Sequence, residues 1–382
     1  MNAERQLELI RRLTDPNAVF PGPLGARSVR NPATAYTSPE RFQRELELLF
    51  RGLPMLVGLS TECRRPGDYL TADLGGLPIF VVRQDDGRLC GFANVCRHRA
   101  ARLVEGCGQI GRAIVCPYHA WTYGLDGRLR GMPSAEGGFD DLDKQDLGLI
   151  PVRVAEGYGL IFARAGSGVA FSIDDALQGA QAELATYGLE QAELIETRVQ
   201  ELPINWKLVV DTFAETYHIA ALHKKTIAPH YHSDRWIIDR YGAHTRLIGV
   251  RSSIDAELAK SDERERRLLP HATTQYLLMP NAVLVHQIDH FELWRLIPLA
   301  VDRTLVATSL FAPSSPASDK ARAYFVKNLD ALLGVTNGED FPVMAQIQRN
   351  LGSGATREVV YGKMEPALVH FHASVDALLA AS

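Results

Sequence analysis

Two short loops limit what this chain can be. Cys96-Arg97-His98 is followed by 17 residues and then by Cys116-Pro117-Tyr118-His119, the pattern C-x-H-x17-C-x2-H. Each half offers one thiolate and one imidazole, on what should be two hairpin loops whose tips can meet around one inorganic centre. Two thiolates with two imidazoles suit a tetrahedral zinc ion, or a [2Fe–2S] cluster in which the two Cys hold one iron and the two His the other. Zinc fingers usually pair like ligands within each half. Here each loop pairs unlike ligands, which favours the mixed-ligand cluster. An isolated Cys or His is most often a packed thiol or a surface imidazole; four at this spacing point to a centre. The run from Pro117 to Tyr123 and the Asp126-Gly127 turn continue the second loop. Cys107 lies between the halves and has no place in the pattern, so it is read as a packed or free thiol.

Composition sets the frame for such a centre. A chain of 382 residues has room for about two or three domains. Apolar residues make up 46% and charged residues 23%, a globular balance that excludes a disordered chain. No run of about 18 apolar residues is present, so no membrane-spanning helix is expected. Met1 to Arg12 mixes charges with Leu and Ile and lacks the apolar core of a secretory signal, so a cytoplasmic protein is expected. Formal charge is −4, from 41 basic and 45 acidic residues, too weak to call for nucleic acid or a membrane surface as a partner. Cys63 and Cys90 bring the cysteines to five, and an odd count in a reducing compartment argues against a disulfide framework.

Texture changes along the chain. Residues 1–50 read as a mostly helical segment, with Phe42, Leu46, Leu48 and Leu49 on a charged background after a Pro- and Gly-rich loop from Pro21 to Pro32. Leu77 to Val95 holds two β-branched runs joined by Asp85-Asp86-Gly87, a hairpin signal. Turn residues stay dense to Gly168, and 51–165 is predicted as an all-β domain. Beyond it, Asp174 to Gly188 has helical spacing and stops at a Gly. Asn205 to His223 is a second helical stretch. Apolar runs from His271 to Ala312, broken at Pro280-Asn281 and Asp289-His290, predict an antiparallel sheet. Helices near Ser318–Leu333 and Pro342–Leu351 close the chain. The fold class is therefore α+β, a β domain inside or ahead of a sheet-and-helix domain over 166–382.

A second constellation lies in that domain. Glu215 and His218, three apart, would share a helix face. His218 and His223, five apart, would sit about 140° apart on an ideal helix, so the helix must end or rewind between them for both to reach one ion. Lys224-Lys225-Thr226 and Pro229 are consistent with an ending. Two His and one carboxylate form the ligand set of non-haem Fe(II) oxygenases, with positions left open for O2. Most His pairs on helices are surface or core residues. The loops upstream raise this pair, because a one-electron donor and a ferrous site in one chain make a coherent oxygenase. The third ligand must come from elsewhere. Glu339-Asp340-Phe341-Pro342 starts a helix after Gly334 to Gly338, where an Asp is ordinarily a cap but can also point inward as a ligand.

With these residues the chain resembles the α subunits of Rieske non-haem iron oxygenases, the ring-hydroxylating oxygenase family. The resemblance covers nearly the whole chain. It rests on the motif at 96–119, on N-W-K…E-x-x-H-x4-H at 205–223, on the turns at 280–281 and 289–290, and on E-D-x-x-V-x-x-x-x-Q at 339–348. It implies an all-β Rieske domain and a catalytic domain of helix-grip (START-like) fold with residues 1–50 packed on it. It implies a [2Fe–2S] cluster on Cys96, His98, Cys116 and His119, and a mononuclear Fe(II) on His218, His223 and Asp340. Glu215 would match the carboxylate that bridges a catalytic His to the partner subunit's His119. The family forms head-to-tail trimers, some with β subunits, in which electrons cross between neighbours. There are two departures. Many ring dioxygenases carry Asp at the bridge, and Glu215 leans toward members that oxidise quaternary ammonium compounds. Ala345 stands where an acid is usual, which leaves Glu339 as a second candidate for the third ligand.

The implied chemistry is hydroxylation, or oxidative dealkylation, of a small aromatic or quaternary ammonium substrate with O2. No G-x-G-x-x-G loop and no plant-type ferredoxin cysteine run is present, so NAD(P)H electrons must arrive through a separate reductase, with or without a ferredoxin. Arg97, Arg99, Arg102 and Arg112 near the cluster loops either dock an acidic redox partner or form a solvated rim. Tyr276, Leu278, Val283, Val285, His286, Gln287, Trp294 and Leu296 alternate on two strand faces, one of which should line a cavity that could cage a methylammonium group. Two other readings remain open on the residues alone. One is a Rieske electron-transfer protein without oxygenase activity, which leaves 205–223 unused. The other is a zinc-stabilised START-like ligand-binding protein with no redox centre.

Overall fold

The computed structural model describes residues 1–18, 25, 27–166 and 170–381, apart from the side chains of residues 233 and 234. Residues 21–24 and 26 of the Pro- and Gly-rich loop, and Gly168, lie outside the described residues. Contacts divide the chain into two units, Phe50–Ala176 and Met1–Leu49 with Leu177–Ser382. The smaller unit thus runs past residue 165, because Tyr158 donates its hydroxyl to Asp174 (2.9 Å) and holds the following segment to it.

The smaller unit is built on antiparallel pairing. Its main sheet runs in the order Met55–Leu59, Leu160–Arg164, Pro151–Gly157, Leu89–Ala93, Leu77–Arg83, Asp68–Leu74, Cys107–Gln109. The hairpin at Asp85-Asp86-Gly87 forms, with Gly87 at φ +83°, a conformation that a side chain would strain. A second sheet of Ile114–Val115, Thr122–Tyr123 and Leu129–Gly131 carries the second Cys–His loop. Cys96, Cys116, Trp121 and Tyr123 share one core with Phe80, Val82 and Phe92.

The larger unit is a seven-stranded antiparallel sheet with helices against it, an α+β arrangement. Strand order is Glu193–Leu202, Arg303–Ala312, Phe291–Ala300, Ala282–His286, Ala272–Leu278, His244–Arg251, Tyr231–Tyr241. The four strands between residues 272 and 312 are those that the apolar runs predict. The other three were hidden by charge. Glu193–Leu202 exposes part of one face, and Tyr231–Arg251 spends its charges internally, with Arg246 fully buried against Glu183 and Asp239.

Two segments expected as single helices are broken, whereas both expected closing helices form. Asp174 to Gly188 is not one helix but two short ones, Ile173–Leu177 and Gln181–Leu184, because Gln178 (φ 50°) and Gly179 (φ +105°) turn left-handed between them. The closing helices, Asp319–Val335 and Phe341–Gly352, are joined through a π-helical turn, Thr336–Asp340. A further helix, Pro366–Ala380, ends the chain, and its near-continuous apolar composition hides any helical period. Asn205–His223 also breaks, as described below. Among the described residues no helix is long and apolar enough to cross a membrane.

The N-W-K stretch fastens the first 49 residues to this unit. Asn205 caps the helix Trp206–Ala214 by accepting from Lys207 N (3.0 Å), and its amide donates to Tyr36 O (3.2 Å) and Val301 O (2.6 Å). Glu45, fully buried, accepts from Trp206 Nε1 (2.8 Å), Lys207 Nζ (2.5 Å) and Arg41 Nε (2.9 Å). Burial pulls the Lys207 ammonium down to about 8 against the upward pull of Glu45. A buried pair of this kind is costly to break from one side, because the remaining charge has no compensation. Glu45→Leu should therefore cost about 3–5 kcal/mol, and a Glu45→Leu/Lys207→Met double variant much less than the sum of Glu45→Leu and Lys207→Met. Unfolding midpoints of the four proteins check this, and strictly additive losses would show that the two charges are not coupled.

Candidate functional site

The two Cys–His loops share one backbone scheme. In the first, Ala100 N donates to Cys96 O (3.0 Å) and Cys96 N to Ala101 O (2.8 Å); in the second, Ala120 N donates to Cys116 O (3.0 Å) and Cys116 N to Trp121 O (2.8 Å). Each tip closes on an alanine of positive φ, 57° at Ala100 and 56° at Ala120. That conformation costs a residue with a side chain about 1–2 kcal/mol, so both tips are held under strain by their surroundings. C-x-H and C-x2-H are thus equivalent tips despite their different spacing.

Between the tips the donors pair by type. Cys96 and Cys116 are buried, and the rings of His98 and His119 lie 4.6 Å apart. His98 stacks on Trp121 (4.9 Å), and its Nδ1 is buried without a hydrogen-bond partner. An orphaned ring nitrogen beside a second imidazole and two buried thiols fits a mixed-ligand [2Fe–2S] cluster, since iron would satisfy the orphan. Tyr123 Oη lies 3.3 Å from Cys96 Sγ and accepts from Arg97 N (3.1 Å). The rim arginines are partly engaged. Arg97 donates to Gly148 O (2.9 Å), and Arg99 lies 2.5 Å from His119 Nε2 and over the Tyr118 ring.

The second constellation depends on a broken helix. Trp206–Ala214 ends at Glu215, whose backbone is extended (φ −144°, ψ 170°), and a single turn, Ile219–Leu222, follows. Glu215 and His218 therefore do not share a helix face. Their side chains meet instead: Glu215 accepts from the backbone N–H groups of Tyr217 and His218 and contacts His218 Nδ1. His218 opens the short turn and His223 ends it, which lets residues five apart converge. Asp340 is the last residue of the π-helical turn and makes no capping bond. Its Oδ1 lies 3.1 Å from His223 Nε2 and 3.6 Å from His218 Nε2. One donor atom from each of His218, His223 and Asp340 lies within 4.8 Å of the others. Two imidazoles and one carboxylate at a cavity wall fit a divalent transition ion with open positions.

Glu339 takes a different place from its neighbour. Its Oε2 accepts from Thr226 Oγ1 (2.8 Å) and lies 2.5 Å from His223 Nδ1. The π-helical turn thus aims successive carboxylates at the two nitrogens of one ring. Each His meets a Glu on its Nδ1, Glu215 for His218 and Glu339 for His223, and turns Nε2 toward Asp340. Such partners fix ring orientation and tautomer. Burial lowers the His223 pKa, but Asp340 and Glu339 outweigh it and hold the imidazole above its ordinary value, as expected of a place that attracts a cation. Sequence gives no sign of this role for Glu339, because a π-helical turn has no compositional mark.

These residues open on a cavity of about 130 Å³ lined by Phe213, Ile219, Ile227, Tyr231, Trp236 and the sheet. Of the strand residues expected there, Val285 and Gln287 line it, together with Gln275 and Glu292, which were not in the expected set. Tyr276 and His286 serve elsewhere. Tyr276 hydrogen-bonds to Glu183, and His286 packs on Tyr187 (4.9 Å) and Phe291 (5.0 Å).

Known proteins resemble the chain in the same two parts. Residues 189–381 match the family described as ring hydroxylating alpha subunit (catalytic domain), and residues 54–149 match the Rieske [2Fe-2S] domain. The glycine betaine monooxygenase oxygenase subunit of Chromohalobacter salexigens is 29% identical over 372 residues, covering 87% of this chain and 81% of that protein. The carnitine monooxygenase oxygenase subunit of Acinetobacter baumannii is 32% identical over 244 residues, 63% of each chain. Two solved structures share the fold: the quaternary ammonium Rieske monooxygenase CntA with L-carnitine (TM-score 0.79, 23% identity, 92% of this chain and 96% of that one) and naphthalene 1,2-dioxygenase with indole (TM-score 0.74, 19% identity, 92% of each).

Two outcomes test the geometry. Tyr123→Phe removes the contact of its hydroxyl with Cys96 Sγ and, if that thiolate holds the cluster, should lower the reduction potential, read by redox titration of the visible spectrum. Glu339→Ala frees His223 Nδ1 and should weaken iron binding about 10- to 100-fold at the mononuclear site, read by metal titration. Unchanged affinity would deny Glu339 its hold on the ring.

Proposed function

The chain belongs to the ring hydroxylating alpha subunit family, and from that premise we propose that it is the terminal oxygenase for a small quaternary ammonium compound. Members are oxidoreductases with a Rieske [2Fe–2S] cluster and a mononuclear iron. The observation that supports this substrate class most is the cavity, where Phe213, Tyr231 and Trp236 surround a small space beside His218, His223 and Asp340. Aromatic faces attract a cation that has no N–H to donate. The related proteins named for glycine betaine and carnitine agree with it.

Cys96, His98, Cys116 and His119 would hold the cluster, and His218, His223 and Asp340 would hold the iron. When bound, the two metals supply single electrons and activate O2. The chain's own groups do the rest. Glu215 and Glu339 fix the two catalytic rings, the apolar wall limits water, and the cavity directs a C–H bond beside nitrogen toward the metal. Insertion of one oxygen atom into that bond, with two electrons and two protons taking the other to water, would give a hydroxyalkyl ammonium, which expels a tertiary amine as its C–N bond breaks and leaves a carbonyl compound and a proton. Electrons come from NAD(P)H through a reductase, with or without a ferredoxin, in the cytoplasm.

The working unit is a head-to-tail homotrimer, in which Glu215 passes an electron from the partner subunit's His119. In support, Tyr217, between Glu215 and His218, is 69% exposed, and Tyr118, beside His119, is 58% exposed. Each of the two sites thus has an exposed aromatic ring beside it. Carboxylate suits the bridge because both imidazoles present donors.

A substrate screen with a surrogate reductase, read by mass spectrometry, tests the reading. Turnover of betaines or choline-like compounds supports it; turnover restricted to neutral aromatic hydrocarbons overturns it. Glu215→Gln and Glu215→Ala should keep both metal sites and a reducible cluster, yet fail to reoxidise that cluster rapidly on mixing with substrate and O2. Wild-type reoxidation in the Ala variant would remove Glu215 from the electron path.

A further inference from the structure

One wall of the cavity carries a carboxylate that neither metal site uses. Glu292 lies in the strand Phe291–Ala300 opposite Val285, which in turn lies opposite Gln275. Side chains in one cross-strand row share a face. Gln275, Val285 and Glu292 accordingly all line the cavity that also reaches His218, His223 and Asp340. Glu292 is 3% exposed. Its hydrogen bonds come from uncharged donors, Gln287 Nε2 to Oε1 (3.2 Å) and Trp294 Nε1 to Oε2 (3.3 Å).

Two basic groups stand nearby, one in a shared ion pair and one reaching it only through an amide. His290 Nε2 is 3.5 Å from Oε1, but His290 Nδ1 lies nearer to Asp289, at 2.8 Å, so one imidazole serves two carboxylates. Arg251 reaches Glu292 through Gln287, whose Oε1 accepts from Arg251 Nη2 (3.0 Å) while its Nε2 donates to Glu292. A buried carboxylate that shares its one direct basic partner with Asp289 is only partly compensated, and so expensive to keep. It becomes favourable when a cation enters beside it, because the low-dielectric wall strengthens the attraction. A tetra-alkylated nitrogen cannot hydrogen-bond, so charge and aromatic faces are the two means of recognising it.

We infer that Glu292 is the counter-charge for a cationic substrate head, an ammonium group seated among Phe213, Tyr231 and Trp236. This rests on the proposed quaternary ammonium reading of the cavity and adds the residue that distinguishes a cation from a neutral group of the same shape. Glu292 contacts substrate charge and takes no part in holding metal.

The test compares ligands matched in shape that differ by one positive charge at the quaternary centre. Choline and its uncharged carbon isostere 3,3-dimethylbutan-1-ol, and glycine betaine with 3,3-dimethylbutanoate, are titrated calorimetrically into the wild-type holoenzyme, Glu292→Gln and Glu292→Asp. The wild type should prefer at least one cation over its isostere by about tenfold or more. Glu292→Gln should lose about that factor for the cation and leave the isostere unchanged, with Glu292→Asp recovering part of it. Iron content and the visible cluster spectrum should stay at wild-type levels in both variants. Equal wild-type affinity for cation and isostere, a comparison that needs no variant, would overturn the inference while leaving the substrate class standing. So would full cation affinity in Glu292→Gln. Failure of the wild type to bind either cation would overturn both.

Discussion

The imidazole of His223 is where the larger unit closes on itself. It stands at the end of the one-turn helix Ile219–Leu222, buried, with Asp340 on Nε2 and Glu339 on Nδ1. Those two carboxylates are successive residues of one π-helical turn. A regular α-helix turns about 100° per residue, so adjacent side chains diverge from each other. The wider turn between Asp319–Val335 and Phe341–Gly352 lets both reach one ring. Everything else at the site follows from that grip: the position of Asp340 opposite His218, the inward facing of both Nε2 atoms, and the cavity they border.

A matching break lies on the other strand of the site. Trp206–Ala214 must stop for His218 to leave its axis, and Glu215 marks the stop by turning extended and accepting with its carboxylate from the N–H groups of Tyr217 and His218. The helix that stops is itself anchored from its first turn. Asn205, Trp206 and Lys207 bind Tyr36, Val301 and Glu45, so the residues most like a sequence signature are structural. Rigidity at one end of this helix supports precision at the other.

The sheet supplies the remaining walls through register. Because Gln275, Val285 and Glu292 form one cross-strand row, the neighbouring Tyr276 turns to the opposite face and joins Glu183 instead. The same alternation gives the cavity a carboxylate while its aromatic lining comes from Phe213, Tyr231 and Trp236. The carboxylate and the aromatic lining of the cavity thus come from different elements.

Sequence by itself determined what depends on short separations. C-x-H-x17-C-x2-H specified two thiols and two imidazoles on paired loops, and the hairpin at Asp85-Asp86-Gly87 followed from turn chemistry. The apolar runs from His271 to Ala312 predicted four strands, and the residue types at 215–223 and 339–340 named the donors that the fold draws toward one point. Tertiary structure alone decided the rest. The break at Glu215, the place of Glu339 on His223 Nδ1, the presence of Glu292 in the cavity, and the charged strands Glu193–Leu202 and Tyr231–Tyr241 were not legible. The physical reason is common to all four. Periodicity reports which face of a local element is apolar, whereas placement in the closed chain depends on partners far along it, 116 residues between His223 and Glu339 and 227 between Arg12 and Asp239, whose energies appear only when the chain is closed.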